Sequence, residues 1–292
     1  MNGLLVIDKP GGMTSRDAVN RVQRWFPRKT KIGHTGTLDP LATGVLVVCV
    51  GAATRLADYV QAMGKSYASR FRLGATSTTD DADGIVTETG AAPVSRMMVE
   101  AVLTRYIGMV EQTPPAFSAM KVDGRRAHAL ARAGEEVKLA ARLVRIDAVR
   151  VVEFAWPWLD VEVDCGKGTY IRSIARDLGA AFGVGGMVQT LRRTRVGPFT
   201  AEQGVGVDEK PADLAARLRP MAEALGELPC VTIGADELRR MRMGQAVRFT
   251  QLSRGRQPPE SGAVGVVDET GELIGLGSVA GDLVRPDAMF NV

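Results

Sequence analysis

The sequence predicts a mixed α/β (α+β) protein built in two units, and three observations carry that expectation. A continuous apolar run, Val45 to Val50, is long enough for a fully buried strand and too short for most helices. Ahead of it Ala18, Val19, Val22, Trp25 and Phe26 recur at helical spacing, so helices and strands share one unit. Past Val207 the texture changes, and from Pro229 small strands and turns predict a second, β-rich unit. The 292-residue chain exceeds the usual size of a single core, and 45% apolar residues suffice for two.

Taken in order, residues 3–8 form an apolar strand that ends at the turn Lys9-Pro10-Gly11-Gly12. Thr14 with Asp17 three residues on resembles a capping box, and the helix that follows runs until Pro27. The loop GHTGTLDPLATG, residues 33–44, then presents Asp39 between small residues and a proline. Pro40 fixes its own φ and pushes Asp39 out of the helical region, so the acid has a definite direction. Two readings stay open for it: an Asx-turn capping its own backbone, or a reactive carboxylate on the lip of the core, with His34 five residues before it. Residues 54–63 form a second amphipathic helix. Tyr67, Ser69, Phe71 and Leu73 alternate with Ala68, Arg70 and Arg72, the period of a half-exposed strand, in which Tyr67 could be core.

A polar loop spans 76–84, and Ser95 caps a helix over 96–107. Residues 113–142 have neither a core-forming stripe nor a strand alternation and are basic, so they are expected to leave the domain as a mobile lid that orders on its ligand. Strands over 143–154 and 158–165 lead to CGKGTYIRSIARDLG, where Gly168 puts Tyr170 and Arg172 at the mouth of a helix. An arginine-studded strand covers 186–199 and a short helix lies around 211–225. The second unit, 229–292, holds a helix over 235–243 and a hairpin turning at DETGE, 268–272.

No stretch of eighteen apolar residues and no signal-peptide pattern occurs, which predicts a cytoplasmic protein without a membrane span. Cys49, Cys165 and Cys230 read as buried thiols, and with two histidines no metal site is expected. The net charge of +4 is uneven. Basic patches lie at 16–31, at 121–142 (including Arg132 and Lys138), at Arg192, Arg193 and Arg195, and at 239–256 (Arg239, Arg240, Arg242, Arg248, Arg254 and Arg256). Four such runs, most of them arginine, fit a large polyanion, because arginine grips phosphate bidentately. GxxxxGK[ST], GxSxG and GxGxxG are all absent, which argues against nucleotide phosphates, a serine hydrolase and a dinucleotide.

KPGGMTS (9–15), GHTGTLDPLATG (33–44), the K-x-Y of Lys65 to Tyr67 and KGTYIRSIARDLG (167–179), in this order, resemble the motif set of bacterial tRNA pseudouridine-55 synthases of the TruB type. The resemblance implies a pseudouridine-synthase fold, with a largely antiparallel central sheet flanked by helices. It implies a catalytic domain over 1–228 with a thumb-like RNA-binding insertion at 113–142, and a PUA-like RNA-binding domain over 229–292 whose removal weakens binding and spares the chemistry. By the same resemblance Asp39 is the catalytic aspartate, held by Arg172 through a bidentate pair. Tyr67 stacks on the target uracil, and His34, Tyr170 and Leu191 line the base pocket, His34 filling space that flipped nucleotides vacate.

Uridine becomes pseudouridine by breaking C1′–N1 and forming C1′–C5, without redox change or outside donor, so no cofactor is expected. Asp39 serves as nucleophile on the sugar or as base at C2′. Tyr67 is expected to take the C5 proton, its ionisation eased by Arg70, Arg72 and Arg172. The expected partner is the T-arm stem-loop of tRNA, bound by a monomer with no obligatory protein partner. Two other readings stand beside this one: a non-catalytic RNA-binding module or chaperone, and the catalytic subunit of a guide-RNA particle.

Overall fold

The computed structural model describes residues 1–118, 120–122, 124–127, 130, 133–135, 137, 139–208, 210–249, 251–254 and 261–290. Arg132, Lys138 and Arg256 lie outside the described residues, as does part of the 113–142 stretch on which a mobile lid was expected. In chain order the larger sheet takes β1 (Gly3–Lys9), β2 (Ile32–His34), β3 (Thr43–Val50) and β4 (Lys65–Leu73). A side hairpin of β5 (Ala75–Ser77) and β6 (Val86–Glu88) follows, and then β7 (Gly108–Gln112). A short hairpin, β8 (Lys121–Val122) with β9 (Arg125–Arg126), stands apart. β10 (Arg142–Ala155), β11 (Trp158–Cys165), β12 (Gly186–Val196), β13 (Phe199–Thr200) and β14 (Leu218–Arg219) complete the sheet.

The spatial order is β14-β1-β3-β12-β4-β11-β10-β7, with β2 paired to β3 and β13 to β12. The pairings are antiparallel except that of β3 with β12, which agrees with the expected largely antiparallel sheet. Helix α1 (Ser15–Gln23) carries the expected capping box from Thr14 and Asp17, and buries Ala18, Val19 and Val22. It stops at Gln23, short of Pro27. Helix α2 (Ala57–Ala62) is preceded by a 3-10 segment, Gly51–Leu56, so the helix expected over 54–63 is split. Helix α3 (Arg96–Leu103) follows the Ser95 cap. Helix α4 (Ile171–Ala181) packs on β12 so closely that a Cβ on Gly186 would stand 2.1 Å from the Ala175 carbonyl. The helix expected around 211–225 is instead a turn of helix at Leu214–Arg217, β14, and a 3-10 segment at Met221–Leu225.

The apolar run is explained by β3 being buried on both faces. Leu46, Val48 and Val50 join the core under α1 and α4, while Val45, Val47 and Cys49 join a second core on the opposite face. That second core also takes Leu4 and Val6 of β1, Leu56 and Val60, and four residues of the C-terminal unit: Cys230, Val267, Leu273 and Phe290. The C-terminal sheet, β15 (Cys230–Thr232), β16 (Val247–Arg248), β17 (Gln251–Arg254), β18 (Ser261–Val267), β19 (Leu273–Ala280) and β20 (Leu283–Met289), has the order β16-β20-β19-β18-β15-β17. It has a core of its own around Val231, Met241, Val264 and Val284. Arg55 reaches across to donate to the Met289 carbonyl at 2.7 Å and lies 5.5 Å from the centroid of the Phe290 ring.

This shared core bears on the expectation that removing 229–292 weakens binding and spares the chemistry, because it ties the stability of the two units together. A chain ending at 228 uncovers Leu4, Val6, Val45 and Val47, and so is expected to melt well below the full chain. Phe290→Ala is expected to cost about 3–5 kcal/mol. Urea unfolding followed by circular dichroism should show one shifted transition, where an independent C-terminal unit would give two.

Candidate active site

Asp39 hangs from the N-terminal end of β3 on a loop held from several sides. Ser15 Oγ donates to the Leu38 carbonyl at 3.0 Å and accepts from the Leu38 amide at 2.7 Å. The Gly12 amide donates to the Pro40 carbonyl at 2.9 Å. From the other side the Leu41 amide donates to Asp83 Oδ2 at 3.1 Å. Beneath the loop the buried Lys9 ammonium donates to the carbonyls of Pro10 and Met13, each at 2.8 Å, and of Pro40 at 3.4 Å. Burial pushes the Lys9 pKa down to about 8, partly offset by the Asp39 charge. The KPGGMTS segment is thus the buttress of the acid. Gly44 closes the loop at φ +98°, where an added Cβ would lie 2.1 Å from the Arg193 carbonyl, so no other residue fits there.

The Asp39 carboxylate caps no backbone amide among the described residues, which removes the Asx-turn reading. Its Oδ2 lies 3.0 Å from Arg172 Nε instead. The approach is off the N–H line, so it is an ion pair and not a well-aligned hydrogen bond. The expected bidentate contact is not formed, because the other guanidinium nitrogens are engaged. Arg172 Nη1 donates to the Thr79 carbonyl at 2.8 Å and Nη2 to the Phe117 carbonyl at 2.9 Å. Nη1 also lies 3.5 Å from the buried carboxylate of Asp81. Thr79 Oγ1 and the Asp83 amide donate to that carboxylate, and burial still pushes its pKa up. One arginine side chain, 4% exposed, therefore serves a buried acid and a second acid that is 32% exposed.

Arg172 owes its place to the start of α4. Gly168, at φ +85°, turns the chain out of β11, and its carbonyl accepts from Arg142 Nη2 at 2.6 Å. The Tyr170 backbone is clamped by Gln112, which accepts from its amide at 2.8 Å and donates to its carbonyl at 3.1 Å. The Tyr170 ring lies under the Arg142 guanidinium, 5.2 Å from centroid to Cζ. Asp39, Tyr67, Tyr170, Arg172 and Leu191 line one cavity of about 520 Å³, within the roughly 300–1,000 Å³ typical of ligand sites. His34 does not line it: it sits on β2 opposite Val48, with Nδ1 buried and without a hydrogen bond among the described residues, and its pKa is lowered by burial, Arg16 and Arg193. A larger cleft, about 730 Å³, opens on the outer face of β4, β11 and β12. It contains neither Asp39 nor Arg172, and its Arg70 is paired to its own Asp160, so the smaller cavity is the better candidate.

The cationic company expected for Tyr67 is corrected. Arg70 and Arg72 point to the opposite face of β4, where Arg70 bonds Asp160 through two nitrogens and Arg72 pairs with Glu88. Tyr67 is buried, which raises its pKa, and the group opposing that shift is Arg193, its partner across β4 and β12. The basic patches are likewise thinner than they read. Arg21 pairs with Asp208, Arg192 with Asp8, Arg195 with Asp164, Arg239 with Asp236 and Arg248 with Asp282. Arg16, Arg24, Arg28, Lys29 and Lys31 remain exposed without an ion-pair partner among the described residues. Lys9, Ser15, Asp81, Asp83, Gln112 and Arg193 were missed as site residues. Lys9, Ser15, Asp81 and Asp83 lie within the same motifs and acidic loop, Arg193 lies in a basic patch, and Gln112 carried no signal.

Among solved structures, a Cbf5–Nop10–Gar1 complex has the same fold, with TM-score 0.74 and 25% identity over 99% of this chain and 84% of that one. Residues 24–171 match the model of the TruB family pseudouridylate synthase N-terminal domain. Residues 172–226 match the tRNA pseudouridylate synthase B C-terminal domain, and 229–290 the pseudouridine synthase II TruB C-terminal model. The chain belongs to the TruB family of pseudouridylate synthases and is an isomerase. Similar relatives include tRNA pseudouridine synthase B of Thermobifida fusca (strain YX), 42% identical over 99% of this chain and 98% of the relative. That of Burkholderia mallei (strain NCTC 10247) is 38% identical over 99% and 97%.

Arg172→Met strands the Asp81 carboxylate in the core and is expected to cost about 3–5 kcal/mol near neutral pH. The sign of the pH dependence follows from Asp81. Its folded pKa lies above its ordinary value of 3.8, so between the two the folded chain holds the extra proton and stability falls as pH rises. Urea titrations at about pH 5 and about pH 7.5 should therefore show the smaller loss in acid, and Arg172→Met combined with Asp81→Asn should recover part of it.

Proposed function

We propose that this chain isomerises a uridine in the T-loop of tRNA, position 55, to pseudouridine, with Asp39 as its essential acid. The observation that carries the reading is the braced Asp39 carboxylate paired to Arg172 at the cavity that Tyr67 lines. The tRNA substrate follows the relatives that carry the name tRNA pseudouridine synthase B along nearly their whole length. It also makes the cytoplasm the expected compartment.

The target uridine leaves the stack at a cost of roughly a few kcal/mol. Stacking on Tyr67, worth about 1–3 kcal/mol per base, and phosphate contacts offset this. Oδ2 of Asp39 faces Arg172, and Oδ1 has no protein partner among the described residues. That oxygen is the one available to the sugar, for attack at C1′ or for removal of the C2′ proton. Either step breaks C1′–N1; the uracil turns, C5 bonds to C1′ as the ester to Asp39 is displaced or the C2′ proton is returned, C5 gives up its proton to solvent and N1 takes one up, so atoms balance without a cofactor. Tyr170 and Leu191 shape the pocket wall, and His34 supports the loop from outside it. Residues 1–228 carry the chemistry, and 113–142 and 229–292 extend the RNA contact.

A guide-RNA particle is the second reading, because the solved neighbour was determined with Nop10 and Gar1. Similarity to relatives named for tRNA along nearly their whole length, at 38–42% identity, favours a tRNA substrate over a guided one, and we take the chain to act alone, as a monomer. Incubation of the purified chain with tRNA carrying 5-tritiated uridine decides between them: tritium release without added protein or guide supports the stand-alone enzyme, and none refutes it. Asp39→Asn should lower single-turnover release to below about a tenth while tRNA affinity stays nearly unchanged. Affinity should fall with salt at about 0.9 log units per log unit for each phosphate contact.

A further inference from the structure

Arg193 is an anomaly in the site. Its side chain is buried, yet it forms no ion pair among the described residues, and a guanidinium without a counter-ion is costly to bury. Nε donates to the Val45 carbonyl at 2.7 Å and Nη2 to the Gly36 carbonyl at 3.0 Å, so it ties the two ends of the Asp39 loop together. Tyr67 is its directly opposed partner on β4, on the same face, just before the register slips at Thr194. Both side chains line the cavity that holds Asp39, and among the described residues Arg193 Nη1 donates to no other acceptor.

A guanidinium offers five N–H donors and no acceptor. Of the two groups only the phenol oxygen can accept, and with a guanidinium donor on it the phenol hydrogen must point elsewhere. We propose that Arg193 is a positioning residue that takes the phenol oxygen of Tyr67 as an acceptor and thereby turns the Tyr67 O–H into the cavity, toward the bound base. Tyr67 then meets the uracil as an oriented, neutral hydrogen-bond donor. The other groups facing the phenol are the Cys165 thiol and the Asp39 carboxylate. Lys65, two residues earlier on β4, is occupied by the carbonyls of Gln61 and Met63. The burial that raises the phenol pKa keeps it protonated, and the guanidinium limits that rise. The identity of the base rests on the function proposed above; the coupling of Arg193 to Tyr67 does not.

A role confined to holding the loop would act independently of Tyr67, so a double-mutant cycle separates the two. Arg193→Met is expected to slow single-turnover pseudouridine formation about tenfold or more in the wild-type background, and by a severalfold smaller factor, the part due to the loop, when added to Tyr67→Phe. Equal factors in both backgrounds, or a Tyr67→Phe chain as fast as wild type, would overturn the proposal. The second measurement needs no substrate: 3-fluorotyrosine placed at residue 67 and titrated by ¹⁹F NMR. Loss of the cation in Arg193→Met should raise the phenol pKa by about one unit or more, and an unchanged value would overturn the proposal. Should the Met variant fail to fold, Arg193→Lys carries both measurements. A cation displaced from the phenol oxygen should still slow the reaction more when the hydroxyl is present. A wild-type chain that makes no pseudouridine would remove the functional reading alone, since the titration still tests Arg193.

Discussion

β3 is covered on both faces, and that constraint organises the molecule. A strand buried this way cannot slip its register without pushing apolar side chains out of one core or the other. Its N-terminal end is therefore a fixed point, and the Asp39 loop is attached there. The parallel neighbour β12 brings Leu191 and Arg193 alongside, and the opposite face takes Val267 and Phe290 of the C-terminal sheet. Asp39, the cavity it lines and the second unit are thus referred to one strand.

Charge is managed around that fixed point by arginines whose hydrogen bonds go mainly to backbone carbonyls. Arg172 donates to the Thr79 and Phe117 carbonyls, Arg193 to those of Val45 and Gly36, and the Lys9 ammonium collects three carbonyls beneath the same loop. Carbonyl oxygens satisfy a cation's donors without neutralising its charge. The site therefore keeps positive potential close to Asp39 and Tyr67, at positions that side-chain rotamer changes cannot easily alter.

Much of this was legible in the sequence, for physical reasons that particular residues show. The Val45–Val50 run, the Thr14 cap and the β4 alternation are local patterns, and each produced the expected element. The joining of Asp39 to Arg172 came from family motifs, since nothing in the spacing of two residues on separate elements brings them together. Partners across long separations were not legible. Arg192 and Arg193 are adjacent in sequence and alternate across β12, so one pairs with Asp8 in solvent and the other is buried at the cavity that Asp39 lines. Counting both as phosphate ligands ignored the period of two. The continuity between the two units was hidden for a similar reason: Val6 and Val47 read as apolar residues of two strands, Phe290 lies about 240 positions further on, and only the fold shows that they share a core.

The bond from Arg193 to the Val45 carbonyl joins residues 148 positions apart, and the pairing of β1 with β14 spans more of the chain still. Contacts of such separation form late, because closing the intervening chain costs entropy before any packing rewards it. During synthesis the loop that carries Asp39 emerges among the first residues, but its clasp does not exist until β12 has left the ribosome. By contrast the β18–β19 hairpin closes within a few residues of its own turn. The Asp39 carboxylate is thus made early and becomes organised only when about two-thirds of the chain is available, so a nascent chain carries the acid without its clasp.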